Sequence, residues 1–432
     1  VWTSSYVTVM GGYAATNAAI RAAADRWPEL SVLDWNAASS VPGGHRWFAA
    51  DGIHLTSTGN AELSMWLRDQ LAGPAPRVLA GGQTYRVPVV GTAGVPDEGV
   101  AGVALNVTAV GPAAAGYVRV WDCAMEEPDT SSVNWTQAGA VAPNAVLVPL
   151  AQGSTEVCFE SLVTTHLLVD LAGWFPADEE SAEGVLRSAA GRVLDTRETG
   201  GRLADDGVLR VPLVGAAGVP TEGVAGVALN VTAVDPVGPG YLRVWDCAAA
   251  EPDTSSVNWT VAGAVAPNAV VVALAPESTE VCVRSLVATD VLVDVAGWLA
   301  AGVHPAAGRV LDTRELAERV PAGGMVRVAV PVEGATGVAL NITAVNPAGP
   351  GYLRVWDCTA PEPDTSSVNY VAAGEVAPNA VIVPLAEGSI EVCVRTLTET
   401  DVIVDMAGWF DAGIASASGR LADTRIALGA VP

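Results

Sequence analysis

One sequence block recurs three times along most of the chain, and each copy is long enough to be a domain of its own. GYVRVWDC at 116–123 recurs as GYLRVWDC at 240–247 and at 351–358. The spacing from Trp121 to Trp245 to Trp356 is 124 and then 111 residues. A period near 110 residues indicates complete domains in tandem, because solenoid repeats have periods of about 20 to 50 residues.

Each copy alternates its side chains in the manner of β-strands. In the segment 116–123, Tyr117, Arg119, Trp121 and Cys123 fall on one face of a strand. Six to eight short strands in about 110 residues, separated by Gly, Pro, Asn and Asp, predict a sandwich or barrel. In the first copy the predicted strands are 84–90, 103–110, 117–123, 145–150, 156–161 and 166–170.

The six cysteines supply one pair per copy at a constant separation of 35 residues. Such a framework predicts one disulfide in each module and an oxidising compartment, outside the cell or at its surface. A metal site would need clustered ligands, and no second Cys or His lies near either member of a pair, so no metal and no cofactor is expected. The predicted disulfides are Cys123–Cys158, Cys247–Cys282 and Cys358–Cys393.

The motif RVLDTR sets the expected boundaries of the copies. It occurs at 192–197 and 309–314, with a variant, RLADTR, at 420–425, whereas the first copy begins with RVLA at 77–80. We therefore expect each motif to be the closing strand of the copy before it, so that deleting 415–432 destabilises the third module alone. The alternative is that 420–432 begins a truncated fourth copy. The first interpretation predicts modules at 77–197, 198–314 and 315–432.

Residues 1–72 have a different character. An Ala-rich helix is predicted at 13–26, a strand at 31–34 and a second helix at 60–71, which is the order of an α/β domain. The segments NAAIRAAADRWPELSVLDW and DGIHLTSTGNAELS resemble the last part of SGNH (GDSL-type) serine hydrolase domains, especially those of actinobacterial esterases and acyl-transfer proteins. The whole chain is thus expected to be mainly all-β, with three tandem disulfide-closed modules after a partial α/β segment.

The resemblance assigns catalytic roles to two residues. His54 is implied as the general base and Asp51 as the carboxylate that orients it, because an imidazole needs such a partner to take a proton from a serine. The Gly-Asp-Ser block that carries the nucleophile in this family is absent from the sequence. The resemblance covers only the last third of an SGNH domain, and the nucleophile block is expected upstream of Val1.

The repeated modules offer two features that could bind a ligand. Trp121, Trp245 and Trp356 could stack on sugar rings, and the alternative is that they pack against the disulfide inside each sandwich. The acidic turns that begin at Glu127, Glu251 and Glu362 offer too few oxygens for calcium, which needs six to eight. No nucleophile–base pair recurs, so the modules are expected to be non-catalytic.

The net charge of the chain limits the classes of molecule that it can bind. The 22 basic residues are all Arg, and 47 acidic residues bring the net charge to −25. Such a chain repels phosphate backbones and anionic membrane surfaces, which argues against both as partners. No run of about 18 to 20 apolar residues is present to span a membrane.

The motifs LNVT, WDC, PNAV, VDxAGW and RVLDTR resemble tandem modules of secreted and surface proteins of actinobacteria. Two functions follow from the two resemblances. One is an SGNH-type esterase or deacylase whose modules attach it to the envelope or a polysaccharide. The other is a structural surface or filament protein, in which the modules self-associate and the SGNH segment is inactive.

Overall fold

The computed structural model describes residues 18–19, 22, 44–49, 54–60, 62–63, 78–177, 185–316 and 318–425. The chain divides into two compact units. The smaller contains Val1–Arg77 together with Thr424–Pro432, and the larger contains Val78–Asp423.

In the smaller unit the described residues form short local structure. Gly44–Trp47 is a 3-10 turn. Phe48 forms an antiparallel bridge with Leu55, and the N–H of Ala49 donates to the carbonyl of His54 at 2.7 Å. The described residues of the two predicted helices are helical, and the predicted strand at 31–34 lies outside the described residues. The α/β organisation of this unit stays a prediction.

The larger unit is built from β-strands, as predicted. Its described strands form six sheets, two for each copy of the repeat, and every neighbouring pair is antiparallel. One sheet of each copy, here called the outer sheet, contains the WDC strand. The outer sheets have the strand orders β1-β6-β3-β4, β10-β15-β12-β13 and β18-β23-β20-β21. The other sheet, the inner sheet, contains the LNVT strand at its centre. The inner sheets have the orders β25-β7-β2-β5, β14-β11-β16 with β8 and β9 both on β16, and β17-β24-β19-β22.

The strand bounds repeat from copy to copy. The first copy contains β1 Thr84–Pro88, β2 Val100–Val110, β3 Gly116–Asp122, β4 Val133–Trp135, β5 Val141–Pro149, β6 Glu156–Ser161 and β7 His166–Pro176. The second contains β8 Leu186–Arg187, β9 Gly191–Asp195, a helical turn Thr196–Thr199, β10 Val208–Pro212, β11 Gly226–Val234, β12 Gly240–Asp246, β13 Val257–Trp259, β14 Val265–Ala273, β15 Glu280–Ser285 and β16 Asp290–Leu299. The third contains β17 Val303–Asp312, a 3-10 turn Thr313–Glu315, β18 Met325–Ala329, β19 Gly337–Val345, β20 Gly351–Asp357, β21 Val368–Tyr370, β22 Val376–Pro384, β23 Glu391–Thr396 and β24 Asp401–Phe410, and β25 is Gly419–Asp423.

Each module is a two-layer sandwich, because alternate residues of both sheets meet in one core. In the first module Val103 and Leu105 of the inner sheet pack with Val118 and Phe159 of the outer sheet, and all four are at most 1% exposed. Burying a side chain of this size stabilises the fold by about 1.5 to 3 kcal/mol. The intervening residues of β2 are also buried. The inner sheet is therefore covered on both faces, and its second face must meet something other than its own module.

The Asp-Thr-Arg segments are where the sequence-based interpretation is wrong. Strand β9 pairs with β16 of the second module, and β17 pairs with β24 of the third. Each segment is therefore the first strand of the module that follows it. Strand β25 pairs with β7 of the first module, so it neither closes the third module nor begins a separate fourth one.

The RVLA segment at 77–80 is not equivalent to the start of the RVLDTR motif, although the two share the residues RVL. Leu79 forms a bridge with Thr165, and the equivalent bridge in the second module joins Leu203 to Thr289. Leu203 lies after the Asp-Thr-Arg segment of its module, not within it. In the first module the place beside β7 that corresponds to β9 and β17 is taken by Gly419–Asp423, and the described residues before β1 contain no equivalent strand.

Candidate binding grooves at the module junctions

The repeated asparagines join one module to the next. Asn230, in β11 of the second module, donates from Nδ2 to the carbonyl of Ser131 in the first module at 2.6 Å. Its Oδ1 accepts from Nδ2 of Asn144 at 3.1 Å. The same two bonds recur at the other junctions. Asn341 donates to the carbonyl of Ser255 (2.8 Å) and accepts from Asn268 (3.2 Å), and Asn106 donates to the carbonyl of Ser366 (2.7 Å) and accepts from Asn379 (3.0 Å). Because the last set connects the third module back to the first, the modules form a closed ring.

The second face of each inner sheet meets its counterparts in a central core. Ala104, Ala228 and Ala339 occupy equivalent positions in the LNVT strands and belong to this one cluster. Phe175 and Phe410 meet there edge to face, with ring centroids 6.4 Å apart. The three modules are therefore held by shared apolar burial as well as by the asparagine bonds.

The glycine of the VDxAGW motif permits this close approach. A Cβ on Gly173 of the first module would lie 2.7 Å from the side chain of Pro384 in the third, which is too close for any carbon. A Cβ on Gly297 would likewise lie 3.1 Å from Pro149 of the first module. In these two copies the glycine leaves room for the neighbouring module, whereas a Cβ on Gly408 of the third copy would approach the carbonyl of His304 in the same module, at 3.0 Å.

A groove opens at each junction. We name the grooves by the modules that they separate: groove 1/2, groove 2/3 and groove 3/1. Their volumes are about 410, 160 and 350 Å³, respectively. Each is lined by the WDC tryptophan, a threonine of the acidic turn and the segment that precedes the next Asp-Thr-Arg. These residues are Trp121, Thr130 and Ser188 in groove 1/2, Trp245, Thr254 and Pro305 in groove 2/3, and Trp356, Thr365 and Ser416 in groove 3/1.

The WDC tryptophans line the grooves and belong to none of the three module cores, with Trp121 and Trp245 partly exposed and Trp356 only 9% exposed. Val118 and Val120 of β3 point into the first module's core, so Trp121 points to the opposite face of the outer sheet. Trp121 lies directly across from Cys158 on the neighbouring strand. It is therefore beside the disulfide, as one sequence interpretation expected, but outside the sandwich. A role for Trp121, Trp245 and Trp356 in binding stays a prediction.

The tryptophans of the VDxAGW motif are placed differently. Trp174, Trp298 and Trp409 are partly buried and pack against the cores of the first, second and third modules, respectively. Trp298 and Trp409 are also covered by a side chain of the paired strand, Arg187 and His304 respectively.

All three predicted disulfides are confirmed. Cys123–Cys158, Cys247–Cys282 and Cys358–Cys393 are bonded, each with a Cα–Cα distance of 5.0 Å. Each bond ties the residue that follows the WDC strand to the neighbouring strand of the same outer sheet, which is β6, β15 or β23. The disulfides therefore hold the walls of the grooves in place.

Arginines of the Asp-Thr-Arg strands neutralise buried carboxylates. Arg192 donates from Nε and Nη2 to Asp294 at 2.7 and 2.9 Å, and the side chain of Asp294 is 3% exposed. Arg197 donates to both carboxylate oxygens of Asp195 and holds the pKa of that carboxyl below its usual range. Burial raises the pKa of Asp405 in the third module, against the opposing effect of its bonds with Arg309.

The acidic turns bond to arginines. Glu127 pairs with Arg119, Glu251 accepts from Arg243 at 2.8 Å, and Glu362 accepts from Arg354 at 3.0 Å. Across the part of the chain that the structure describes, no three His, Cys, Asp or Glu side chains are grouped to hold a metal ion. The glutamate of each acidic turn is therefore paired with an arginine of the preceding WDC strand.

The implied catalytic residues lie in the smaller unit. His54 is exposed, one residue before the bridge formed by Leu55. Asp51 lies outside the described residues. The pairing of these two side chains therefore stays a prediction.

Comparisons with known proteins do not place the chain in a family. No protein-family model and no curated protein matches it. Among solved structures, it is similar at 8% identity to the STIV MCP crystal structure, with a TM-score of 0.26, covering 51% of this chain and 96% of that one. A chain from the atomic structure of Sulfolobus turreted icosahedral virus gives 8% identity and a TM-score of 0.25, covering 52% of this chain and 89% of that one.

Sequence reasoning missed the grooves, although their parts were visible as repeats. The polar residues of LNVT, DTSS and PNAV recur in every copy, and a buried asparagine in a strand needs a partner for its amide. That recurrence was the available signal for a junction. Within the described residues, no helix is long and apolar enough to cross a membrane.

Proposed function

We propose that Val78–Asp423 is a non-catalytic carbohydrate-binding ring, which attaches a secreted or cell-surface protein to an envelope or extracellular polysaccharide. One observation carries the proposal: a tryptophan lies in the same place in a groove at every junction. An indole ring suits a pyranose, whose flat face is apolar and whose edge carries hydroxyl groups.

The surroundings of the tryptophan support a sugar over a purely apolar ligand. Thr130 and Ser132 line groove 1/2 beside Trp121, with Ser188 at the exposed rim. A hydroxyl group can both donate and accept hydrogen bonds, as the hydroxyls of a sugar do. Aromatic faces with a few polar groups around them are the usual lining of a small-ligand site.

Charge favours a neutral polysaccharide. The chain carries a net charge of −25, which repels polymers rich in uronic acid or sulfate. Several weak sites on one rigid ring would add to the affinity for a repeating polymer, because the second contact is intramolecular.

The disulfides support secretion, since such bonds persist in oxidising compartments. We further propose that the smaller unit belongs to an SGNH-type esterase or deacylase domain that acts through His54 and Asp51. The motif resemblance carries this second proposal. Its test is turnover of p-nitrophenyl acetate by the full-length gene product, which His54→Ala is expected to abolish.

The competing function is assembly of the modules into a rod or filament. A rod or filament requires modules that repeat one neighbour contact without end. In this chain those contacts close on themselves, since β25 of the last segment pairs with β7 of the first module. Light scattering of the purified protein tests this alternative, and ordered multimers that bind no polysaccharide would replace our proposal with it.

The binding test uses neutral soluble polysaccharides in affinity gel electrophoresis. We expect retardation by at least one of them, and a loss of at least about tenfold in affinity in the triple variant Trp121→Ala, Trp245→Ala, Trp356→Ala, equivalent to about 1.4 kcal/mol. The matched control removes three exposed leucines that line none of the grooves, Leu162, Leu286 and Leu397, which are 51%, 38% and 47% exposed. Equal binding by the two triple variants would contradict the proposal.

A further inference from the structure

The three grooves are not equal in size. Grooves 1/2 and 3/1 measure about 410 and 350 Å³, whereas groove 2/3 measures about 160 Å³. Sites for small ligands have volumes of about 300 to 1,000 Å³. Two grooves therefore lie within the range of a ligand site, and the third has about half of the smallest such volume.

The difference coincides with one residue of the segment before each Asp-Thr-Arg strand. The equivalent positions are fixed by strand pairing, because Arg187, His304 and Ala415 lie opposite the three VDxAGW tryptophans. The next residue along the chain is Ser188 in groove 1/2, Pro305 in groove 2/3 and Ser416 in groove 3/1.

Serine and proline differ at this position in both shape and chemistry. All three residues are exposed at the groove rim. A serine side chain is small and presents a hydroxyl group that can bond to a sugar, whereas the proline ring is bulkier and offers neither a hydroxyl nor an N–H group.

Pro305 is also held in place by its neighbour. The His304 ring stacks on Trp409 with centroids 4.2 Å apart, and its Nε2 lies 2.6 Å from Oδ2 of Asp411. In groove 3/1 the corresponding residue is Ala415, which meets Trp174 through two backbone hydrogen bonds of 2.8 and 3.1 Å. In groove 1/2 the corresponding Arg187 lies with its guanidinium 5.6 Å from the centroid of the Trp298 ring. In groove 2/3 the residue before the proline also bonds to a carboxylate.

We infer that the ring has two sugar sites, grooves 1/2 and 3/1, and that Pro305 keeps groove 2/3 closed. This inference rests on the proposed function and sharpens it to a bivalent arrangement, in which the tryptophan of the closed groove, Trp245, contributes nothing to binding.

The test is the number of binding sites measured by isothermal titration calorimetry. The probes are maltohexaose, cellohexaose, laminarihexaose and chitohexaose, titrated into the whole chain. We expect two sites in the unmodified protein, one site in Trp121→Ala and in Trp356→Ala, and two unchanged sites in Trp245→Ala. Trp245→Ala is the matched control, since it removes the same side chain from the closed groove. Pro305→Ser is expected to raise the number of sites to three.

The outcomes separate this inference from the function on which it rests. Three equal sites in the unmodified protein, or loss of a site in Trp245→Ala, would overturn the bivalent arrangement and leave carbohydrate binding in place. Binding of none of the four probes would overturn both. If Pro305→Ser fails to fold, judged by its circular dichroism, Pro305→Ala opens the groove without a hydroxyl, and two sites in that variant would show that Pro305 does not close it.

Discussion

Arg420→Ala tests how the ring closes. Arg420 lies in β25 and bonds through two nitrogens to both carboxylate oxygens of Asp170 in β7, 250 residues away. The variant removes the guanidinium and leaves the aspartate behind. If β25 belongs to the first module, the damage should appear there, far from the substitution in sequence.

The magnitude follows from the burial of the pair. The side chain of Asp170 is 3% exposed and that of Arg420 is 25% exposed. Removing one partner of a buried pair costs about 3 to 5 kcal/mol, because the other charge is left uncompensated. We expect the lower end, about 3 kcal/mol, since water reaches the arginine. This corresponds to an increase of about a hundredfold in the opening equilibrium of the strand.

Hydrogen exchange read by mass spectrometry locates the effect. We expect faster exchange in β7, His166–Pro176, with little change in β24, Asp401–Phe410. The matched control is Arg309→Ala, which removes the equivalent arginine from Asp405 of β24, at 2.8 and 3.2 Å. That variant should speed exchange in β24 instead.

Faster exchange confined to the third module in Arg420→Ala would refute this account of ring closure. It would restore the interpretation in which the last Asp-Thr-Arg segment closes the module before it. No change in either strand would show that the buried pair contributes little to the closure.

Three further predictions concern stability. Replacing Cys123 and Cys158 by serine should lower the free energy of unfolding by about 3 to 4 kcal/mol in urea denaturation, as expected for a closed loop of 35 residues; an unchanged midpoint would contradict this. Asn230→Ala removes the amide that bonds to the carbonyl of Ser131 and to Nδ2 of Asn144, so the contact between the first and second modules should weaken by about 1 to 3 kcal/mol. We expect faster hydrogen exchange in β11, and unaltered exchange would show that these two bonds are dispensable. The pKa of Asp195 and of Asp312 is held below its usual range by bonded arginines, so their stabilisation is complete above the unfolded pKa of about 3.9 and is lost as pH falls through the lower folded value. Asp195→Asn should therefore lose less stability than the unmodified protein on acidification below pH 4, and parallel acid titrations of the two would argue against it.

The sequence was sufficient for the local features of the modules. The six predicted strands of the first copy all overlap observed strands, because runs rich in Val and bounded by Gly, Pro, Asn and Asp are typical of short strands, whereas the three-residue strand β4 was not predicted. The disulfides also followed from sequence, since a pair of cysteines with constant spacing in each of three copies leaves a simple pairing.

The sequence predicted the tryptophans of the grooves as candidate binding residues, but not the grooves themselves. The repetition of Trp121, Trp245 and Trp356 marked them as candidates, yet their direction depends on which face of the outer sheet meets the core. Strand alternation divides residues into two faces, but it does not say which face of a sheet with buried residues on both sides turns outward. The unequal volumes of the three grooves depend on Pro305 and on the packing of segments more than 50 residues apart.

What the sequence by itself determined is the existence of three like modules, their strands and their covalent loops. What only the tertiary structure decided is which module receives each Asp-Thr-Arg strand, and hence that the modules form a ring. The physical reason is that a strand's backbone donors and acceptors are satisfied equally by any neighbour of matching alternation. By sequence alone, Gly419–Asp423 could pair with an edge strand of the first module or of the third. It pairs with β7 because that edge lies next to it in the folded ring.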